Sequence, residues 1–192
     1  MKRRPLTGIL LAAGRGRRFD PSGYHDKLLH PLPDGQPIAL QSALRLQQVV
    51  DRLCIVVDAG NARLAERFSQ ANLPVWRCQD AADGMAASLK CALQATQDSA
   101  GWIVALADMP WVSVATLQAL AAALRDGAEA VAPFYQGQRG NPVGFSAACR
   151  TQLMTLQGDQ GARHLLAGFR LTALDTGDSG ILRDVDYPRD LL

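Results

Sequence analysis

Residues 7–13 read TGILLAA, an unbroken apolar run of strand length that stops at Gly14. A strand with no polar face has to be covered on both sides, so it belongs inside a sheet packed between two helical layers. RLCIVVD (52–58) and GWIVALAD (101–108) have the same character. Stretches with helical spacing alternate with them. PIALQSALRLQQVV (37–50) opens on Pro37, which suits a first turn, and a second helix runs from Asn61 to about Gln70. Met85, Leu89 and Leu93 recur on one face, as do Val114, Leu117, Leu120 and Leu124 behind a capping Ser113. LPVWRC reads as a short strand, EAVAPF and PVGFS flank the turn YQGQRGN, and two shorter helices and a final strand follow. This alternation predicts one α/β domain over residues 1–192, with three layers, a mostly parallel sheet and helices on both faces. Ligands of such sheets bind beyond the carboxyl ends of the strands, where Gly14 and Asp108 both fall.

Composition narrows the function. A chain of 192 residues that is 48% hydrophobic is ample for one core and modest for two. The net charge is only +2 and the acidic residues are spread along the chain, which argues against a nucleic-acid partner. Cys54, Cys78, Cys91 and Cys149 are far apart in apolar settings with no C-x-x-C, so free thiols are expected rather than a zinc ribbon or disulfide framework. The start, MKRRPLTGILLAAG, is basic, but its apolar stretch is short and runs straight into the glycine turn. It is neither a signal peptide nor a membrane span, and a cytoplasmic protein is expected.

LLAAGRGRRF (10–19) ends an apolar strand in Gly14 and Gly16 amid Arg15, Arg17 and Arg18. It is not a dinucleotide fingerprint, because Phe19 stands where the third glycine belongs and Asp34 lies in a turn. No Gly-Lys-Ser/Thr follows, so the Walker pattern fails as well. What remains is a turn whose N–H groups can face phosphate oxygens, with Arg18 and Lys27 available for charge, or else a plain turn with solvated arginines. ALADMP (105–110) delivers one carboxylate, Asp108, to the sheet edge and stops at Pro110. That carboxylate suits Mg²⁺, a hard cation that takes carboxylate and phosphate oxygens, or it is a turn or N-cap aspartate.

These stretches together resemble the molybdenum cofactor nucleotidyltransferases, most closely their cytidylyltransferase branch, over nearly the whole chain. LLAAGRGRRF is similar to L-A-A-G-x-x-x-R-[FM], followed by KLL and DGQP; DGMAASL to G-M-x-x-S-L; and LADMP to the metal motif. GQRGNPVGF is similar to R-G-[HN]-P-V-x-F, GDQGAR to G-D-x-G-A-R, and DVDYPRDL to D-x-D-x-P-x-D-L. The resemblance implies a Rossmann-like nucleotidyltransferase fold. It also implies transfer of CMP from CTP to the phosphate of molybdopterin, with or without molybdenum, releasing pyrophosphate. Ala13 carries the choice of base, since L-A-A-G goes with CTP and L-A-G-G with GTP.

By the same resemblance, Leu11, Ala12, Ala13 and Gly14 line the nucleotide with Gly84 and Ser88, and Arg18 and Lys27 take charge on the triphosphate. Asp108 and Asp186 hold Mg²⁺ from two separated strand ends, with Asp186 ranked above Asp184. Arg139, Gly140 and Asn141 face the acceptor, and a molybdenum-dependent oxidoreductase is the implied client. The chain departs from the pattern in the long spacer DPSGYHD (20–26), in Ala86 for serine, in Asn141 for the commoner histidine and in Tyr187 for threonine. His25, His30 and His164 have no evident metal partner and read as loop or solvated residues. Another acceptor, GTP as donor, or a non-catalytic carrier of the finished cofactor are the alternatives; a paired Asp108 and Asp186 favours catalysis, because a carrier needs no metal pair.

Overall fold

A computed structural model describes residues 3–14, 16–22 and 24–191. The strands are β1 (Leu6–Ala12), β2 (Arg52–Asp58), β3 (Val75–Cys78), β4 (Gly101–Leu106), β5 (Ala130–Tyr135), β6 (Gln138–Arg139), β7 (Val143–Ser146) and β8 (Leu171–Asp175). The helices are α1 (Ile38–Gln47), α2 (Ala62–Gln70), α3 (Met85–Ala95), α4 (Val114–Arg125) and α5 (Arg150–Leu153). Short 3-10 turns cover Lys27–Leu29, Ala162–Gly168, Ser179–Leu182 and Pro188–Leu191 among others. All eight strands lie in one sheet of order β3-β2-β1-β4-β7-β5, with β8 on the far edge of β5. Only β7, antiparallel to β4 and β5, and the short β6 break the parallel run.

Strand alternation sorts the core into two layers. Leu10 and Ala12 of β1, Ile55 of β2 and Ile103 of β4 pack with Leu46 of α1, Phe68 of α2 and Leu120 of α4. Ile9, Val56 and Trp102 point the other way, onto Leu89 and Leu93 of α3 and Leu153 of α5. Each strand therefore buries both faces, which is why it reads as an apolar run without a polar alternate. Asn61 caps α2 by accepting from Leu64 N at 3.1 Å, and Ser113 caps α4 by accepting from Thr116 N at 3.1 Å. Pro37 is itself the residue preceding α1, and that helix stops at Gln47 rather than at 50.

Two details position the site. β4 ends at Leu106, two residues earlier than its sequence pattern suggests, so Asp108 stands just past the sheet edge. β6 and β7 form one arm against β5, but the register slips by two residues between them. Gly140 N still donates to Pro133 O of β5 at 2.9 Å, but past it the slip releases the chain, and Asn141 N donates instead to Ile181 O at 2.9 Å. Only glycine fits at 140, since a Cβ there would lie 2.4 Å from that same Ile181 oxygen. The four cysteines are free, as their spacing implies, and burial pushes the Cys54 thiol up to about 12.

Candidate active site

The carboxyl edge of β1 and β4 opens into a cleft of two adjoining lobes. The larger, about 580 Å³, is lined by Leu11, Ala13, Gly14, Gly16, Arg17 and Lys27, and on its far side by Gly84 and Ser88. The smaller, about 380 Å³, is lined by Arg139, Gly140 and Asn141 together with Arg163, His164 and Asp184. Leu11, Arg18, Met85, Asp108, Asp159 and Asp186 face both lobes and form the wall between them.

The glycine turn is held by its own backbone. Gly16, at φ +57°, accepts from Phe19 N at 2.9 Å and Asp20 N at 3.1 Å. Phe19, where a dinucleotide fold would need glycine, is a buried anchor packed with Leu32, Ile38 and Val185. Lys27 opens a 3-10 turn capped by Asp26, which accepts from Leu28 N at 2.9 Å and from Asn61 Nδ2 at 2.7 Å. The spacer of residues 20–26 thus ends tied to the start of α2, and Lys27 is delivered inward, only 7% exposed. On the opposite wall Gly84, at φ +107°, precedes α3, and a Cβ there would lie 2.4 Å from Gly158 O. Ala86 N donates to Gly158 O at 2.9 Å, so the 158–163 loop is fastened to the first turn of α3.

Three carboxylates crowd the dividing wall. Oxygens of Asp108, Asp184 and Asp186 all lie within 4.8 Å of one another. Lys27 Nζ donates to Asp108 Oδ2 at 2.8 Å and stands 3.6 Å from Asp186 Oδ1, while Arg18 pairs with Asp186 Oδ2 at 2.6 Å. Partial burial, which disfavours the charged form, raises the Asp184 carboxyl above its ordinary range, and the charges of Asp186 and Asp108 add to that. An all-oxygen, three-carboxylate set is the chemistry of a hard divalent cation, and these residues fit one.

Most of the residues singled out in the sequence converge here, but not all as expected. Asp186 is not at a strand end: residues 183–186 form an irregular segment between the turns Ser179–Leu182 and Pro188–Leu191. The segment makes one hydrogen bond to the sheet region, Val185 N to Asp108 O at 2.9 Å, and fully buries Val185 beside Phe19. With Val185 inward, Asp184 and Asp186 both reach the cleft, so the geometry does not reproduce the ranking of one over the other. Ala12 faces the α1 layer at 1% exposure and lines neither lobe, which leaves it only backbone to offer. Arg15 lies outside the described residues. Arg17 and His164 are exposed, in line with their reading as solvated, and they also line the larger and the smaller lobe respectively. Met85, Asp159 and Arg163 went unassigned from sequence; the signal was present, because they belong to the stretches DGMAASL and GDQGAR.

Two buried side-chain polar atoms have no partner among the described residues, Arg150 Nε and the Ser88 hydroxyl, and Ser88 is 2% exposed and lines the larger lobe. Such an atom is costly unless something accepts or donates to it, so a polar ligand in that lobe would complete the wall.

A mostly parallel sheet with a glycine turn, paired cations and a carboxylate cluster at its carboxyl edge is an α/β arrangement suited to a nucleotide and a divalent cation. The chain belongs to the MobA-like NTP transferase domain family, whose model matches residues 8–175, and so is a nucleotidyltransferase by family. It is 32% identical over 197 residues to the purine catabolism protein PucB of Bacillus subtilis, covering 96% of this chain and 93% of that one. It is 25% identical over 187 residues to the molybdenum cofactor cytidylyltransferase of Escherichia coli, covering 96% and 92%. Among solved structures it is similar to the manganese complex of Rv0371c from Mycobacterium tuberculosis, with a TM-score of 0.79, 26% identity and coverage of 97% and 95%. No helix of the described residues is long and apolar enough to cross a membrane.

Proposed function

We propose that this protein transfers CMP from CTP to the phosphate of molybdopterin, giving molybdopterin cytosine dinucleotide and pyrophosphate. The observation that carries the reading is the shared wall: Asp108, Asp186 and Arg18 stand where the two lobes meet and face both of them. A donor in the larger lobe and an acceptor in the smaller would present the α-phosphate and the attacking phosphate oxygen to each other across that wall. The N–H groups around Gly14 and Gly16 and the cations Arg18 and Lys27 would hold the triphosphate, and Ser88 would meet the nucleoside. Arg139, Gly140 and Asn141 would face the acceptor, and Arg163 adds a second guanidinium suited to its phosphate. Mg²⁺ bound by the aspartates would neutralise charge building on the α-phosphate and the leaving pyrophosphate.

CTP rather than GTP is supported by Ala13 in L-A-A-G and by the similarity to the Escherichia coli cytidylyltransferase. A different acceptor is the second reading, because PucB at 32% identity is a nearer match than that enzyme at 25%. One assay decides: pyrophosphate release measured with CTP or GTP against molybdopterin, its molybdenum form, and a sugar phosphate. Release with CTP and either pterin is expected. A larger specificity constant for GTP, or release only with the sugar phosphate, would replace this reading, and no release at all would favour a carrier serving an oxidoreductase.

A further inference from the structure

Lys27 stands inside the carboxylate cluster rather than beside it. Its ammonium is 2.8 Å from Asp108 Oδ2 and 3.6 Å from Asp186 Oδ1, and its side chain is 8% exposed. Arg18 takes the other oxygen of Asp186 from the solvent side, with its side chain 67% exposed. Three carboxylates thus face two cations, and Lys27 takes one oxygen of Asp108 and stands near one of Asp186, two of the three carboxylates a divalent ion would draw on. An ammonium and a divalent ion on the same oxygen set repel strongly in a partly buried site, so one must leave for the other to settle. Lys27 has somewhere to go: it also lines the larger lobe with the glycine turn, where triphosphate oxygens would receive it. A lysine suits that exchange, being a compact point charge on a flexible stem with no fixed fork to satisfy.

We infer that Lys27 is a built-in counter-ion that keeps the divalent-metal site closed until a nucleotide draws its ammonium onto phosphate. This rests on the nucleotidyltransferase reading of the cleft. Metal and nucleotide are then coupled through one side chain: the nucleotide frees Asp108 and Asp186 for the metal, and the metal frees Lys27 for the nucleotide, with equal coupling in both directions. Free metal alone binds poorly, and the protein takes the metal together with the triphosphate.

The sign of one measurement separates this from a structural role for the ion pair. If Lys27 merely braces the aspartates, removing it loosens the metal site; if it blocks them, removing it tightens the site. Mn²⁺ binding is followed by electron paramagnetic resonance without nucleotide for the wild type, Lys27→Met and Lys27→Gln. The amide of the second variant can still donate to Asp108, which keeps a neutral variant available should methionine disturb folding. Each folded variant is expected to bind Mn²⁺ about tenfold or more tightly than the wild type, from the loss of one like charge about 4 Å from the ion. Lys27→Arg should stay as weak as the wild type. Adding α,β-methylene-CTP should tighten Mn²⁺ binding by a larger factor in the wild type than in Lys27→Met. Equal or weaker Mn²⁺ binding in the folded neutral variants overturns the inference. A parallel arm with α,β-methylene-GTP keeps the two readings apart: tightening by the substitution with preference for the guanine analogue leaves the counter-ion role standing and removes CTP as donor.

Discussion

Replacing Asp178 by alanine removes an acceptor that ties the segment carrying Asp184 and Asp186 to the start of α4. Asp178 Oδ2 accepts from Ser113 N and from Thr116 Oγ1, each at 2.8 Å, and Oδ1 accepts from Gly180 N at 2.9 Å. Gly180 in turn lies flat on the backbone of Trp111, and five residues further on Val185 N reaches Asp108 O. A hydrogen bond to a charged acceptor is worth about 1.5–3 kcal/mol net, and partial solvent access favours the low end. Three such bonds, two sharing one oxygen, suggest a loss of roughly 2–4 kcal/mol on truncation. For a chain of this size each kcal/mol is worth about 2–4 °C, so the melting midpoint should fall by about 4–16 °C at pH 7. Asp178→Asn keeps one good acceptor and should lose about half as much.

The pH dependence adds a check on the cause. Burial alone would raise the Asp178 carboxyl, but the hydrogen bonds from Ser113, Thr116 and Gly180 outweigh it and hold the group below its ordinary range. A depressed folded-state pKa contributes stability above the unfolded value, about 3.9, and that contribution is lost as pH falls through the folded value. The gap between wild type and Asp178→Ala should therefore be full at pH 6–7 and narrow below about pH 4 in calorimetric or circular-dichroism melts. Because Asp178 lines neither lobe, turnover should fall while the apparent KM for the nucleotide barely moves. An unchanged midpoint at pH 7, or a gap that stays constant down to pH 3, would refute the reasoning.

The remaining predictions follow from single contacts. Ser88→Ala removes the unpartnered buried hydroxyl, so stability should hold or rise by up to about 1 kcal/mol while nucleotide affinity falls; a stability loss of that size would mean the hydroxyl already has a partner. Gly140→Ala drives a methyl into Ile181 O and should cost about 1–3 kcal/mol in chemical denaturation, with KM for the acceptor raised more than KM for the nucleotide. Asp108→Asn and Asp186→Asn should each lower kcat by roughly 10²-fold or more at saturating Mg²⁺, with melts unchanged within a few degrees. Since Asp184 shares the cluster, Asp184→Asn should weaken metal binding measurably, and a wild-type metal affinity there would remove it from the ligand set.

How far the sequence reaches is clear from particular elements. β1, β2 and β4 were legible because both their faces are buried, which erases polar alternation and leaves apolar runs that only a covered sheet can use. Caps at Asn61 and Ser113 were legible because a side chain accepting from the backbone three residues on is a local event. The glycine turn, the post-strand aspartate and the turn of residues 135–141 likewise declare themselves in short stretches. Tertiary structure alone decided what those stretches meet. Lys27 and Asp108 are 81 positions apart, and nothing local in either predicts that the ammonium sits on the carboxylate. Asp186 was expected at a strand end, yet its segment is an irregular strap, because its single tie to Asp108 O and the burial of Val185 against Phe19 replace a ladder. Likewise the shared wall between the lobes exists only once β1, β4, α3 and that strap are packed. Periodicity and capping are set by neighbours within a turn or a strand and so are written in the sequence; the electrostatics of a cleft depend on groups from distant segments, and packing determines which of them meet.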